Sequence, residues 1–192
     1  MKNIGLLGGS FDPPHNGHLY ISLEAKKILK LDEIWWLVTP QNPLKISRPA
    51  TYSERIKNCK VITKNYPIKI KEVEKSINSK YSYQTINYIK RYYKNINFFW
   101  LMGADNLLNF HRWQKWRLIF EDIPIVIFKR HGYNEKALKS IALKTFENYK
   151  ITTTILDKKY FSKLPAWTWI KNKEIKISST EIRNQREILR YE

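Results

Sequence analysis

The chain has 192 residues, with 35 Lys or Arg against 17 Asp or Glu, and a formal net charge of +18. This length suits a single domain with a buried core, and no apolar run reaches the roughly 18 residues that a membrane-spanning helix needs. Cys59 is the only cysteine, which excludes an internal disulfide and a zinc site built from cysteines.

Short apolar runs alternate with helical patterns along the whole sequence. In the first half we predict strands at about 3–8, 33–39, 68–73 and 97–103, and helices at about 17–30, 51–64 and 82–93. In the second half we predict strands at about 123–128, 152–156 and 175–177, and helices at about 135–148 and 179–190. The proline-containing stretch 41–50 is predicted to be a loop.

This alternation favours a doubly wound, mainly parallel α/β sheet with helices on both faces, in one domain over residues 1–192. In such sheets, ligands bind beyond the carboxyl ends of the strands, where the strand order reverses. We therefore expect one site to collect the residues after the first strand, Gly103 after the central strand, and the hydroxyl-rich cap of the last helix, which is formed by Ser178, Ser179 and Thr180.

The most specific motif directly follows the first strand. It reads Gly8-Gly9-Ser10-Phe11-Asp12-Pro13-Pro14-His15-Asn16-Gly17-His18. Glycines let a backbone approach a phosphate closely, and a helix N-terminus offers N–H groups and a positive dipole to an anion. His15 and His18 are three residues apart at the predicted helix start, so both can point at the same anion. The alternative, a tight turn with two surface histidines, requires that many special residues coincide by chance.

This stretch resembles the H-x-G-H signature of a nucleotidyltransferase superfamily, and most closely the version found in bacterial nicotinate-nucleotide adenylyltransferases. The resemblance implies a Rossmann-like fold and the transfer of AMP from ATP to nicotinate mononucleotide, with Mg²⁺. The products would be deamido-NAD and pyrophosphate, in NAD biosynthesis. It also implies that His15 and His18 bind the ATP phosphates, together with the backbone at Gly8, Gly9, Ser10 and Phe11.

A second motif lies at the other end of the sequence and reads Ile177-Ser178-Ser179-Thr180-Glu181-Ile182-Arg183. A hydroxyl-rich helix cap with an arginine on the first turn can bind an anion, although an ordinary cap with a surface arginine has the same pattern. The motif is similar to the family's I-S-S-T-x-I-R block. That similarity implies that Ser178, Ser179, Thr180 and Arg183 hold the ATP triphosphate.

Two shorter segments resemble the family less closely. Residues 40–45 are similar to a P-x-x-P-H-K loop, which implies that Lys45 reaches a phosphate, although Leu44 stands where the family has histidine. Residues 81–86 are similar to Y-T-x-D-T-L, which implies that Thr85 hydrogen-bonds the pyridine carboxylate. Ser82 and Gln84 depart from that pattern.

A third segment, residues 103–116, is similar to the family's block of Gly-x-Asp followed by spaced aromatic residues. The similarity implies close backbone approach at Gly103, ribose binding by Asp105 and stacking of the pyridine ring on Trp113. His111 and His131 are far from the first histidine pair and lack ligand spacing, so we predict no zinc site.

Several alternatives stay open at this point. A sister adenylyltransferase for nicotinamide mononucleotide or phosphopantetheine has related motifs, and a net charge of +18 is also compatible with a basic nucleic-acid-binding domain. The lysines are spread along the chain, which favours a solvated basic surface over a nucleic-acid site. The start of the chain has neither the apolar core nor the cleavage site of a signal peptide, so we expect a cytoplasmic protein without a membrane partner. A homo-oligomer is compatible with the sequence.

Overall fold

A computed structural model describes residues 1–40, 50–152 and 161–188 of the chain, with side chains as far as residue 185. The strands of this part are β1 (Lys2–Gly9), β2 (Glu33–Val38), β3 (Ile68–Lys71), β4 (Ile96–Gly103), β5 (Ile125–Phe128) and β6 (Trp167–Ile170). Its α-helices are α1 (Asn16–Ile28), α2 (Tyr52–Thr63), α3 (Val73–Ser76), α4 (Ser82–Tyr92), α5 (Ala104–Phe110), α6 (Trp116–Asp122), α7 (Asn134–Leu138), α8 (Ile141–Thr145) and α9 (Ser179–Ile188). A short 3₁₀ helix covers Glu147–Tyr149.

The described strands form one parallel sheet in the order β3-β2-β1-β4-β5-β6. The chain first proceeds from β1 outwards to β3, and then returns to place β4 on the other side of β1. The order therefore reverses between β1 and β4, where Leu6 lies opposite Trp100. This topology confirms the predicted doubly wound α/β fold and puts the expected site beyond Gly9 and Gly103.

Both faces of the sheet are buried. Successive side chains of each strand point to opposite faces, so neighbouring residues enter different apolar clusters. Trp35 belongs to one apolar cluster and its neighbour Trp36 to the other. In β4, Trp100 and Leu101 divide between the same two clusters. Central parallel strands covered by helices on both sides therefore show continuous apolar runs in the sequence.

The predicted helix at 135–148 is wrong, because the structure divides it into α7, α8 and the short 3₁₀ helix. Ser140 lies between α7 and α8, and its hydroxyl accepts a hydrogen bond from the backbone N–H of Leu143. A serine that caps a new helix competes with continuation of the previous one. No helix in the described ranges is long and apolar enough to cross a membrane.

The predicted strand at 175–177 is also wrong, since those residues have no regular secondary structure. The last strand of the described sheet is β6, which begins eight residues earlier in the sequence, and Trp167 pairs with Ile125 of β5. A strand was also predicted at 152–156, but all of that range except residue 152 lies outside the described part of the chain. The short helices α3, α5 and α6 were not predicted, because each is too short for a helical period to stand out.

Candidate active site

The loop after β1 is held in place from below by an aromatic stack. Phe11 has a backbone φ of +48°, and its ring is buried and stacks on Trp36 with centroids 4.6 Å apart. The Phe11 ring also lies 4.8 Å from the ring of His18. A Cβ atom on Gly8 would lie 2.8 Å from the ring of Trp100, and one on Gly9 would lie 3.3 Å from the ring of Phe11. The side chain of Phe11 therefore supports the loop, and its backbone is the part available to a phosphate.

His15 and His18 form a reciprocal cap at the start of α1. The Nδ1 atom of His15 accepts a hydrogen bond of 3.1 Å from the backbone N–H of Gly17. The Nδ1 atom of His18 accepts one of 3.2 Å from the backbone N–H of His15. An imidazole nitrogen that accepts a hydrogen bond carries no proton, so in each ring the proton is on Nε2. Both rings are therefore oriented as neutral hydrogen-bond donors through Nε2.

The environment of His15 keeps its ring uncharged. His15 is 4% exposed, and its pKa is lowered to about 4, chiefly because the ring is buried. The positive charge of Arg130 contributes to this lowering, and the negative charge of Glu181 opposes it. His15 is therefore neutral at physiological pH and offers an N–H dipole rather than a full charge.

The glycine between the two histidines is required by packing. A Cβ atom on Gly17 would lie 2.9 Å from Nδ1 and Cε1 of the His15 ring, and 3.2 Å from Cγ2 of Ile177. Such distances are shorter than van der Waals contacts. Any larger residue at position 17 would displace either His15 or the segment that leads into α9.

The start of α9 is docked on the loop after β1, which brings the two sequence motifs together. The Ser179 hydroxyl donates to the backbone carbonyl of Pro13 at 2.9 Å. The Arg183 guanidinium donates to the carbonyl of Asp12, and its Nη1 lies 3.8 Å from the Asp12 carboxylate. The predicted meeting of the two anion-binding motifs is thus present in the geometry.

The other hydroxyl groups of the second motif also have partners within the protein. Ser178 caps α9, accepting from the N–H of Glu181 at 3.2 Å and donating to the Glu181 carboxylate at 2.8 Å. The Thr180 hydroxyl accepts from Nη2 of Arg183 at 3.2 Å. In this structure these hydroxyls therefore fix the shape of the motif, and an incoming phosphate would meet a preformed helix start with Arg183 beside it.

Arg130 connects the C-terminal motif to the end of β4. Its Nη2 donates to the carbonyl of Ile177 at 2.9 Å, and its Nε lies 4.0 Å from Oδ1 of Asp105. A Cβ atom on Gly103 would collide with that same Asp105 oxygen. Asp105 Oδ1 is buried and accepts no hydrogen bond within the described residues. A ligand hydroxyl would supply the missing donor.

A cavity of about 280 Å³ opens beside the glycines of β1. Its lining includes Gly8 and Gly9, the end of β2, the start of α4 and the residues between α5 and α6. The lining residues are Gly8, Gly9, Thr39, Glu74, Lys80, Tyr81, Ser82, Asn106, Arg112, Trp113 and Gln114. The Trp113 ring is held edge-on by Trp100 at 6.3 Å and packs against Phe110 at 4.7 Å. An aromatic face is thus fixed next to the loop after β1.

Thr85 lies behind the cavity wall rather than on it. Its side chain is fully buried, and its hydroxyl donates to the carbonyl of Tyr81 at 3.3 Å. The start of α4 in front of it has no side-chain cap at Tyr81, and the N–H of Gln84 donates to the carbonyl of Tyr81 at 3.0 Å. The predicted contact between Thr85 and a substrate carboxylate stays a prediction, because Tyr81 and Ser82 line the cavity and Thr85 does not.

Two arginines of this region were not assigned a role by the sequence analysis. Arg130 follows β5, and Arg55 on α2 is buried beneath the loop after β1. Arg55 belongs to no sequence pattern that distinguishes it from the many surface cations of the chain. The prediction for Lys45 concerns a residue outside the described part of the chain. Within the described ranges, no three potential metal-ligating side chains of His, Cys, Asp or Glu are grouped together.

Comparison with known proteins identifies the family of the chain. The model of the cytidylyltransferase-like family matches residues 6–185. A protein of Ruegeria sp. (strain TM1040), named "Probable nicotinate-nucleotide adenylyltransferase", is 42% identical over 182 residues, which are 95% of this chain and 96% of that protein. A protein of the same name from Agrobacterium fabrum (strain C58) is 40% identical over 182 residues, which are 94% of this chain and 97% of that protein.

A solved structure supports the same grouping at the level of the fold. Plasmodium falciparum nicotinic acid mononucleotide adenylyltransferase, complexed with NaAD, aligns with a TM-score of 0.69 and 22% identity. The alignment covers 96% of this chain and 83% of that one. By its family match and its identity to these relatives, the chain belongs to the cytidylyltransferase-like family and, within it, to the nicotinate-nucleotide adenylyltransferases.

Proposed function

We propose that this chain transfers AMP from ATP to nicotinate mononucleotide, forming deamido-NAD and pyrophosphate. The observation that carries the proposal is the contact of Ser179 and Arg183 with the loop at Asp12 and Pro13. This contact unites two anion-binding motifs beside a cavity with an aromatic wall. The names of the relatives at 40–42% identity support the same substrates.

The reaction requires alignment and charge stabilisation rather than a general base. The attacking phosphate of a mononucleotide is already ionised near neutral pH, and it displaces pyrophosphate from the α-phosphorus of ATP. The protein has to hold two anions together and stabilise the charge that develops on the oxygens. The Nε2–H groups of His15 and His18, and the N–H groups at Gly9 and Ser10, are suited to this task.

Arg183 contributes the positive charge at the second motif. Its guanidinium lies between Asp12 and Thr180, and the side chain is 32% exposed, so a triphosphate can reach it from the open side. Guanidinium groups bind phosphate oxygens in pairs, with a geometry that a lysine does not reproduce. We propose that Arg183 binds the leaving phosphates, and that Mg²⁺ enters with ATP because the phosphates supply several of its ligands.

The cavity beside Gly8 is the proposed site of the acceptor. Trp113 offers a rigid face on which a pyridine ring can stack. Lys80, Arg112 and the uncapped start of α4 surround that face with positive charge and N–H donors. A carboxylate on the ring is favoured in such surroundings over a neutral amide, which supports nicotinate mononucleotide over its amide counterpart. Asp105, whose Oδ1 accepts no hydrogen bond within the described residues, is proposed to accept a hydrogen bond from a ribose hydroxyl.

The test is release of pyrophosphate from MgATP with three acceptors measured side by side: nicotinate mononucleotide, nicotinamide mononucleotide and phosphopantetheine. Strong turnover with the nicotinate substrate alone is the expected result. Comparable turnover with the amide would contradict the proposed acid-selective cavity, and turnover only with phosphopantetheine would overturn the acceptor assignment. Release of pyrophosphate in none of the three reactions would overturn the proposed function.

A further inference from the structure

Arg55 is a buried cation beneath the candidate active site. The residue is 1% exposed, although it lies on α2 among otherwise exposed charged residues. Burial lowers the pKa of its guanidinium, which stays protonated because the ordinary value is so high. A buried charge of this kind is costly unless its donors are satisfied, so its hydrogen bonds explain why it is kept.

The guanidinium binds four backbone carbonyls that belong to three separate segments. Nη1 donates to the carbonyl of Ser10 at 2.6 Å and to that of Thr39 at 2.7 Å. Nη2 donates to the carbonyl of Pro40 at 2.7 Å, and Nε to that of Ala50 at 3.0 Å. Four of the five N–H donors of one side chain are thus used to join the loop after β1, the end of β2 and the start of α2.

Ala50 is held from both sides. Its carbonyl accepts from Nε of Arg55, and its N–H donates to Oδ1 of Asp12 at 3.2 Å. Asp12 is also the residue that Arg183 binds. A series of direct contacts therefore runs from Ser10 in the loop after β1 through Arg55 and Ala50 to Asp12. From Asp12 it continues to Arg183 in the C-terminal motif.

No salt bridge reaches Arg55 within the described residues, so the neutral carbonyls alone satisfy its hydrogen bonding. Only a planar guanidinium presents donors in directions that span these separated carbonyls. A lysine at the same position would keep the charge but bring a single nitrogen to the site. The role of the side chain is therefore geometric, and charge alone does not replace it.

We propose that Arg55 is a positioning residue for adenylyl transfer, which sets the loop after β1 at Ser10 and the backbone at Thr39, Pro40 and Ala50 in their reactive arrangement. This inference rests on the proposed function. Arg55 does not touch the substrates in this view; it acts through the loops that do. A misplacement of reacting groups by about 1 Å can reduce turnover about 10²-fold, which is the size of effect that we expect.

The test compares Arg55→Lys with two matched controls. Arg91→Lys makes the same chemical change at an exposed site on α4, and Cys59→Ala perturbs a fully buried position on α2 without touching the carbonyls. We expect Arg55→Lys to lower kcat about 10²-fold. The KM for ATP and the KM for nicotinate mononucleotide should each rise by less than that factor. We expect both controls to stay within about twofold of the original kcat, even if Cys59→Ala lowers the thermal midpoint.

Amide hydrogen exchange provides a readout that does not depend on activity. In Arg55→Lys the N–H of Ala50 should exchange faster, while the amides of β5 should not change. Arg55→Gln, whose neutral side chain is easier to bury and can serve at most two of the carbonyls, gives the same two readouts if the lysine variant does not fold. An unchanged kcat or unchanged exchange at Ala50 in the folded variant would overturn the inference. An original chain that releases no pyrophosphate would instead contradict the proposed function, and the exchange result would still decide on the joining role of Arg55.

Discussion

The rings of His15 and His18 lie with their centroids 3.9 Å apart, and each ring accepts a backbone hydrogen bond through Nδ1. The backbone thus selects the same tautomer in both residues. The same two rings cap α1 through Nδ1 and present the Nε2–H donors. A variant that removes a whole ring therefore disturbs the start of the helix and the candidate site together. This coupling determines how the histidines have to be tested.

His18→Asn separates the two roles of His18. An asparagine oxygen can accept the N–H of His15 in place of Nδ1, but it has no group at the position of Nε2. We expect turnover to fall about 10²–10³-fold, as when one donor to a developing charge is removed, with the helix cap preserved. Steady-state kinetics and far-UV circular dichroism check this, with His18→Ala as the variant that loses both roles. Turnover close to that of the original chain would mean that Nε2 of His18 does not contact the reacting phosphates.

The buried ring of His15 makes stability depend on pH. Its pKa is about 4 in the folded protein, whereas the ordinary pKa of histidine is 6.5, so between these values the unfolded chain binds more protons. Stability therefore increases as the pH rises from about 4 to 6.5 and is lost as the pH falls through this window. His15→Asn, which cannot titrate but can still cap the helix, should show a smaller slope in urea midpoints measured across it. Parallel curves for the two proteins would contradict the buried, neutral state of His15.

Trp113→Ala is expected to affect one substrate more than the other. Loss of an aromatic stacking contact costs about 0.5–1.5 kcal/mol in addition to the lost apolar contact, so we expect KM for the pyridine nucleotide to rise about tenfold. KM for ATP should change less than about twofold, because the phosphate motifs are not altered. Trp113→Phe retains a ring and should recover most of the loss. An equal rise in both KM values in Trp113→Ala would argue against stacking.

Glu74 should have the opposite pH dependence to His15. Burial raises the pKa of its carboxyl, while hydrogen bonds from the side chains of Thr39 and Thr85 oppose the shift. The folded state then binds more protons than the unfolded state above the ordinary pKa of 4.5, so stability falls as the pH rises through the window above that value. Glu74→Gln removes this loss, and its thermal midpoint relative to the original chain should increase between pH 4 and pH 7. A relative midpoint that decreases over that range would show that the ionised carboxylate is the favoured form in the folded protein.

The first motif and the central strands could be predicted from the sequence because the information is local. The strand, the glycines and the capping histidines lie within the first eighteen residues, and the structure keeps that order as β1, the loop and α1. Long apolar runs likewise predict the buried parallel strands β2 and β4. In these segments, local propensity and tertiary packing favour the same structure.

The remaining features depend on contacts between distant residues. Arg55 is one cation among 35 in the sequence, and only the convergence of carbonyls from positions 10, 39, 40 and 50 distinguishes it. The segment at 175–177 is apolar enough to predict a strand. Instead, the carbonyl of Ile177 accepts a hydrogen bond from Arg130, and the side chain of Ile177 packs against Gly17. Long-range side-chain bonds of this kind leave no periodic pattern in the sequence.

The docking of α9 on the loop after β1 has a consequence for synthesis of the protein. Ser179 and Arg183 bind residues that precede them by 166 and 171 positions, whereas the described sheet ends with Ile170. A chain whose translation stops after β6 would contain every described strand but neither Ser179 nor Arg183. If such a product remains soluble, a solubility screen would not detect the loss of these two residues, whereas an activity assay would.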